Sequence, residues 1–311
     1  YGERLNPPAM MPRSLAGRVA RLSCASGLLV LLLACAPQSL LVRAAADQLA
    51  GQAAQPEDDV VLAREASAFY LKLSESVLAR APGHLRLAEA VAGGFTQYAY
   101  AFVALEAERL ESRDARAAQR LRERAARLYW RAHRHAMTAL EHHNPGLSRQ
   151  LAAADASSPA TRIQLPAEQA AVGYWAAASW GAYIALSKDK PDVVADLPQV
   201  VQLARLVLAC DPDYGEGAAL SLMGTLEAAR PGGSRQQAEV YFERAIAASA
   251  GRSAGPVVAK ADALALPDGD RAGFEALLGQ RIAISTRHPS LENTLLRERA
   301  QWLLETLDDR F

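Results

Sequence analysis

The chain has 311 residues, and its 34 Lys and Arg are balanced by 34 Asp and Glu, so the formal net charge is zero. A balance of this kind, without a basic stripe, argues against a nucleic-acid partner. Three cysteines in a chain of this length exclude a disulfide-stapled scaffold and supply no paired zinc or redox motif.

The first element is the apolar stretch Leu22–Ala34, interrupted by Ser23, Ser26 and Gly27. Arg13, Arg18 and Arg21 precede it, and no acidic residue falls between Glu3 and Cys35. A basic segment, a short apolar core and small residues at a cleavage point define a secretory signal. The stretch is shorter than the ~20 residues a spanning helix needs. Leu32-Leu33-Ala34-Cys35 has the form of a lipobox, so Cys35 is the expected lipidation site. Cys24 precedes the apolar core and fits less well. Acyl chains at Cys35 would each bury CH2 groups worth ~0.8 kcal/mol, enough for stable anchoring with two or more chains. Ala36, rather than Asp, follows the cysteine, which favours the outer membrane, facing the periplasm, over the inner. Met10 or Met11 would begin a signal of ordinary length, placing residues 1–9 upstream of it.

The expected organisation is a signal over 1–34, an anchor and tether over 35–58, and a folded body over 59–311. Removing residues 1–34 takes away four arginines and one glutamate and leaves a slightly acidic body. The tether is rich in Ala and Gln, with Gly51 and Pro56, and is expected to be partly helical near Leu40–Leu49. As a flexible coil it would span ~27 Å.

From Val60 onward the pattern is helical. Alanine, the best helix former, is abundant, and no Asn-Gly or Asp-Gly turn separates alternating runs. The periodicity predicts helices over roughly 59–80, 84–110, 113–142, 166–187, 192–210, 214–229, 234–249, 256–265, 270–286 and 290–307. Breakers lie between them: Ala81-Pro82-Gly83, Asn144-Pro145-Gly146, Lys190-Pro191-Asp192, Asp211-Pro212-Asp213, Pro231-Gly232-Gly233 and Pro267-Asp268-Gly269. The Ser-rich 155–162 reads as a loop. Short connections imply helix hairpins stacked side by side.

Residues 214–249 carry the clearest repeat. A tetratricopeptide (TPR) unit alternates large and small apolar residues where its two helices touch. Leu220, Met223 and Gly224 hold these positions on a first helix; Ala238, Phe242 and Ala245 hold them on a second. Gly224 and Ala238 would let the backbones approach while Phe242 fills the groove. Upstream, Val200, Ala204, Val207 and Pro212 match the second half of such a unit. The fold class expected is therefore all-α, a TPR-like solenoid of antiparallel helix hairpins.

With the pattern laid out, the chain resembles the T-component family (TatT) of TRAP transporters, the tripartite ATP-independent periplasmic systems. The resemblance covers about 58–311. It rests on Ala68-Phe69-Tyr70-Leu71-Lys72-Leu73-Ser74-Glu75-Ser76, Gly94-Phe95-Thr96-Gln97-Tyr98-Ala99-Tyr100-Ala101-Phe102, Tyr174-Trp175-Ala176-Ala177-Ala178-Ser179-Trp180-Gly181, Asp211-Pro212-Asp213-Tyr214 through Gly217, and Asn293 through Leu304 ending in Asp308-Asp309-Arg310-Phe311. Ala68 stands where the family tends to have Pro. The resemblance implies a non-catalytic lipoprotein that assembles as a homo-oligomer, a trimer, docks the soluble solute-binding P-component, and helps pass a small organic or hydrophobic ligand toward the permease. The competing expectation is a TPR scaffold that organises envelope proteins without handling solute.

Two aromatic groups are candidate ligand-channel lining: Phe95, Tyr98 and Phe102 at helical spacing, and Tyr174, Trp175 and Trp180 in an Ala-rich stretch. Such rings, with alanines leaving room beside them, suit an apolar or amphipathic solute; the same stripe also serves as core. Tyr98 and Trp175 are preferred because a phenol or indole orients as well as fills. His133, His135, His142 and His143 lack the i, i+3 or i+4 face of a helical metal site and read as a solvated helix end. The dense charges of Arg113–Arg134 read as a solvated face or a docking surface. Cys210 reads as a buried small hydrophobe. No GxSxG, P-loop or GxGxxG after a strand appears, so neither enzyme nor cofactor is expected.

Overall fold

The computed structural model describes Gly2 and residues 40–52, 59–153 and 164–311; the signal stretch and Cys35 lie outside these residues. Contacts separate residues 1–45 from a compact unit, Ala46–Phe311. Among the described residues every regular element is helical and none is a strand.

The first helix, α1, covers residues 40–52. From Ala46 it belongs to the compact unit. Ala46 is fully buried in the main core, Leu49 packs on that core, and the Tyr70 hydroxyl donates to the Leu49 carbonyl. Asp47 pairs with His84 at 3.3 Å.

The helices that follow are α2 (Val60–Leu78), α3 (Leu85–Ala99), α4 (Leu105–Leu110), α5 (Ala115–His143), α6 (Leu147–Ala153), α7 (Ala170–Ala185), α8 (Pro191–Val194), α9 (Leu197–Cys210), α10 (Ala218–Ala229), α11 (Arg235–Ala248), α12 (Gly255–Lys260), α13 (Arg271–Arg287) and α14 (Leu291–Glu305). Several starts are fixed by side-chain oxygens that accept otherwise orphaned backbone N–H groups. Asp59 accepts from Val61 and Leu62, Asp114 from Ala117, Ser234 from Gln237, Asp270 from Gly273 and Ser290 from Asn293.

Two expected helices depart from α geometry, one in its interior and one in its last turn. Tyr100–Ala104 and Ala261–Ala265 form wide π turns, with Leu105 N–H reaching the Tyr100 carbonyl and Leu266 N–H reaching the Ala261 carbonyl at 3.0 Å. α6 was not expected. The predicted 192–210 helix breaks at Ala195-Asp196.

The helices α3, α5 and α7 pack mutually, and α9 lies on α7; α10 meets α9, α11 and α12, and α13 pairs with α14. The main core runs through α2–α10, and smaller apolar clusters fill the space among α10–α14. The segment Pro191–Cys210 is long and apolar enough to cross a membrane, with mean hydropathy 1.5. Val200, Val201, Leu203, Ala204 and Val207 are buried in the main core, which accounts for that apolarity.

The packing expected at 214–249 is present. Leu220, Met223, Ala238, Phe242 and Ala245 are buried, and a Cβ on Gly224 would lie 3.0 Å from the Phe242 ring. The connection closes through Glu227, which holds Arg230 at 2.7 Å and accepts from Ser234 N–H at 2.8 Å. On α14, Asn293 is buried and accepts from Ala254 N–H while donating to the Arg252 and His288 carbonyls. This ties the last helix to the α11–α12 connection.

Candidate functional site: an aromatic recess and its ionic surroundings

The turn before α10 is the least ordinary backbone in the body. Gly215, Glu216 and Gly217 have φ of 59°, 53° and 96°, so three successive residues are left-handed. Only glycine adopts this conformation at no steric cost. Glu216, which does carry the cost, is held by Arg252 at 2.9 Å. At Gly217 a Cβ would also meet the Ala245 carbonyl oxygen at 2.6 Å. The turn presents Tyr214 to α7, where its ring centroid lies 4.9 Å from that of Tyr174. Tyr174 in turn meets Trp175 edge-on at 5.0 Å. Trp175 lies against α3 over Gly93, where a Cβ would fall 2.8 Å from its ring.

These rings form a partly accessible aromatic cluster, the candidate recess. Tyr174, Trp175 and Tyr214 all keep part of their surface accessible. Glu292 on α14 touches solvent, yet protein surrounds it closely enough that burial raises its carboxyl; Glu89 on α3 is raised for the same reason. Burial also raises the Tyr174 phenol, and the Glu292 charge adds to it. The Tyr214 phenol is raised by burial and then by Glu89. Both phenols are therefore neutral donors at physiological pH, beside two carboxyls that burial raises.

Ring contacts divide the six aromatic lining candidates into separate groups. Tyr174 and Trp175 belong to the recess. Tyr98 and Phe102 pair edge-on at 5.3 Å, and Phe102 lines a second cavity of about 280 Å³ with Val60, Arg64, Leu105 and Leu295. Phe95 is 4 % exposed and lies under Arg131, whose guanidinium is 4.9 Å from the ring centroid. Trp180 is 6 % exposed and packs on His133 at 4.4 Å.

The four histidines of α5 have distinct partners, and His133 is not at a solvated end. It is buried between Trp130 and Trp180, its Nδ1 lies 3.1 Å from the Ala176 carbonyl, and burial lowers its pKa to about 4. A neutral ring with the proton on Nδ1, donating to Ala176, follows. His135 Nε2 lies 2.7 Å from Glu75, and His143 Nε2 lies 2.8 Å from the Gly83 carbonyl. His142 packs against Gly83. Glu75 also takes Arg131 and Lys72. Burial pushes its carboxyl up, but the hydrogen bonds from Arg131, Lys72 and His135 outweigh that and hold it at about 2. Glu75, Arg131, His133 and His135, with Arg127 and Arg134, line an open groove of about 850 Å³ along α5. Cys210 is half-buried rather than buried, and burial raises its thiol, which keeps it unreactive.

A third group of charges was not anticipated. On α14, Arg299 reaches Glu108 at 2.9 Å and Asp262 at 2.6 Å, joining α4, the second π turn and α14. Arg310 approaches Glu108 at 3.6 Å. A sequence signal existed: Arg299 sits among Leu296, Ala300 and Leu303, on the buried face of its helix.

The chain is 31% identical to an uncharacterized protein from Treponema pallidum (strain Nichols) over 271 residues, 82% of this chain and 81% of that one. The model of the TRAP transporter T-component family matches residues 56–311, which spans α2 to α14. The chain therefore belongs to the TRAP transporter T-component family, a family of accessory transporter subunits and not an enzyme family.

Proposed function

We propose that this protein is a periplasm-facing, lipid-anchored T-component that docks the solute-binding P-component of its transporter and offers a small organic or hydrophobic solute the Tyr174–Trp175–Tyr214 recess. The family match over 56–311 carries the reading. The recess supports its solute-handling half: apolar ring faces and neutral phenol donors suit an amphipathic molecule better than an ion. Tyr98 and Phe102, which keep accessible surface, extend the apolar lining, with Phe95 and Trp180 serving as core.

The remaining parts of the proposal have their own support. Gly224 beneath Phe242, with Ala238 and Ala245 buried beside it, fits a TPR-like hairpin, and the succession of neighbouring helices fits a solenoid. Leu62, Phe69 and Leu73 form an exposed apolar stripe on α2, which suits a homo-oligomer, a trimer in the family reading. Lipidation at Cys35 after cleavage of residues 1–34, with 35–58 as the link, would hold the body at the outer membrane.

The test uses the Cys35→Ser chain and the P-component of the same transporter. Co-purification of the two, with native mass spectra reporting a solute on wild type and none on Trp175→Ala, is the expected result. Failure to recover the P-component under conditions that preserve the complex would refute docking. A P-component complex that never carries solute, and is indifferent to Trp175→Ala, would leave the scaffold reading in its place.

A further inference from the structure

Arg281, on α13, is completely buried, and none of its three guanidinium nitrogens has a hydrogen-bond partner. Ser285, one turn further along the same face, is also fully buried with an unpartnered hydroxyl. Every exposed alternative is closed to Arg281, and a buried guanidinium stays charged: burial lowers its pKa only to about 10. An uncompensated buried charge costs several kcal/mol, so a second partner must offset it.

The protein's own acids do not. The carboxylates within electrostatic reach of Arg281 are Asp262 and Glu108, and both are already bound to Arg299, with Arg310 also on Glu108. Three guanidinium groups thus face two carboxylates, leaving one positive charge in excess. Elsewhere the pattern differs: Arg131 has Glu75 and Arg230 has Glu227. The surroundings of Arg281 are shaped as well as charged. Tyr100, half-buried at the start of one π turn, is near enough for its phenol to respond to the Arg281 charge; Asp262 sits in the other π turn. Wide turns of this kind inside helices concentrate at functional sites. Val257, Val258, Ile284 and Leu296 form an apolar cluster against Tyr100 beside them.

We propose that Arg281, Ser285 and Tyr100 form a buried binding site for the carboxylate of a small organic acid with an apolar body. The planar guanidinium fork matches a carboxylate bidentately. One excess positive charge selects a monoanion. The Ser285 hydroxyl supplies a further donor, the neutral Tyr100 phenol another, and the Val257–Ile284–Leu296 cluster receives the tail. Because Arg281 is sealed from solvent, the acid reaches it as Tyr100 swings aside. The proposal does not depend on the reading given to Tyr174, Trp175 and Tyr214.

The experiment is calorimetry and thermal unfolding of the Cys35→Ser chain with butyrate and benzoate, each against its uncharged amide, at constant ionic strength. Both acids should bind and raise Tm, and neither amide should. Arg281→Gln should weaken acid binding by ~30-fold or more, the loss expected for a buried charge-assisted pair, and Tyr100→Phe by several-fold. Without acid, Arg281→Met should unfold at the same Tm as wild type or above it, since an apolar side chain removes the unpaired charge. Equal binding of acid and amide, undiminished binding by Arg281→Gln, or equal stabilisation by chloride would overturn the assignment. So would a lower Tm for Arg281→Met in acid-free buffer, because it would reveal an internal partner. Should Arg281→Gln fail to fold, Tyr100→Phe decides: binding as tight as wild type refutes the site.

Discussion

Trp175 lies directly on Gly93, so close that a Cβ there would be 2.8 Å from its ring. The contact lets α7 approach α3 and fixes the indole that meets Tyr174. Gly93→Ala should therefore destabilise the body by ~1–3 kcal/mol through overpacking, and should reduce solute carriage with it. Urea unfolding together with native mass spectrometry would measure both effects. An alanine variant as stable as wild type would show that the indole can shift at no cost.

Glu75 gives an acid-sensitive joint between α2 and α5. Its folded pKa of about 2 is depressed from 4.5, so its contribution is complete above 4.5 and lost as pH falls toward 2. The depression corresponds to about 3 kcal/mol by linkage. Glu75→Gln should remove that slope and cost ~2–3 kcal/mol at pH 7, seen in denaturant midpoints at pH 7 and pH 3.

His133 produces a separate, earlier loss. Its folded pKa of about 4 lies below the ordinary 6.5, so the unfolded chain takes up the proton first. Stability should decline between pH 6.5 and 4 and level off below. His133→Phe, which keeps a ring between Trp130 and Trp180, should flatten that window while leaving the Glu75 window in place. Melting curves every half pH unit would separate the two.

The α2 stripe predicts a change of assembly rather than of fold. Phe69 is 74% exposed between Leu62 and Leu73. If the proposed oligomer forms through this stripe, Phe69→Glu should give a monomer in light scattering while unchanged circular dichroism shows the helices intact. An unaltered mass would move the interface elsewhere.

Most of the helices were legible because alanine-rich periodicity and Pro-Gly punctuation are local. The turn at Asn144-Pro145-Gly146 was read as a break, and the short α6 after it was missed because seven residues hold too little periodicity. The π turns were invisible for another reason. Tyr100-Ala101-Phe102 and Ala261-Asp262-Ala263 continue an α pattern, so nothing local marks the wider turns. Arg281 was detectable in principle. Phe274, Leu278, Arg281 and Ser285 share one face at spacings of four, three and four, and the first two are apolar and buried. A cation at such a position is either paired or awaiting a partner. The recess was half legible: Tyr174 and Trp175 stood out, but Glu292 and Tyr214 reach it only through the tertiary fold.

The π turn at Tyr100–Ala104 also constrains how this chain can change in length. It acts as a one-residue insertion absorbed within the continuous helix formed by α3 and α4, whereas Ala261–Ala265 ends its helix. Removing a single residue from 100–104 would restore an ordinary helix, and everything beyond would rotate by ~100°. Phe95 and Tyr98 would then turn relative to α4. Point substitutions across this segment should be far better tolerated than single-codon deletions, an asymmetry that a scan of both kinds of variant would expose.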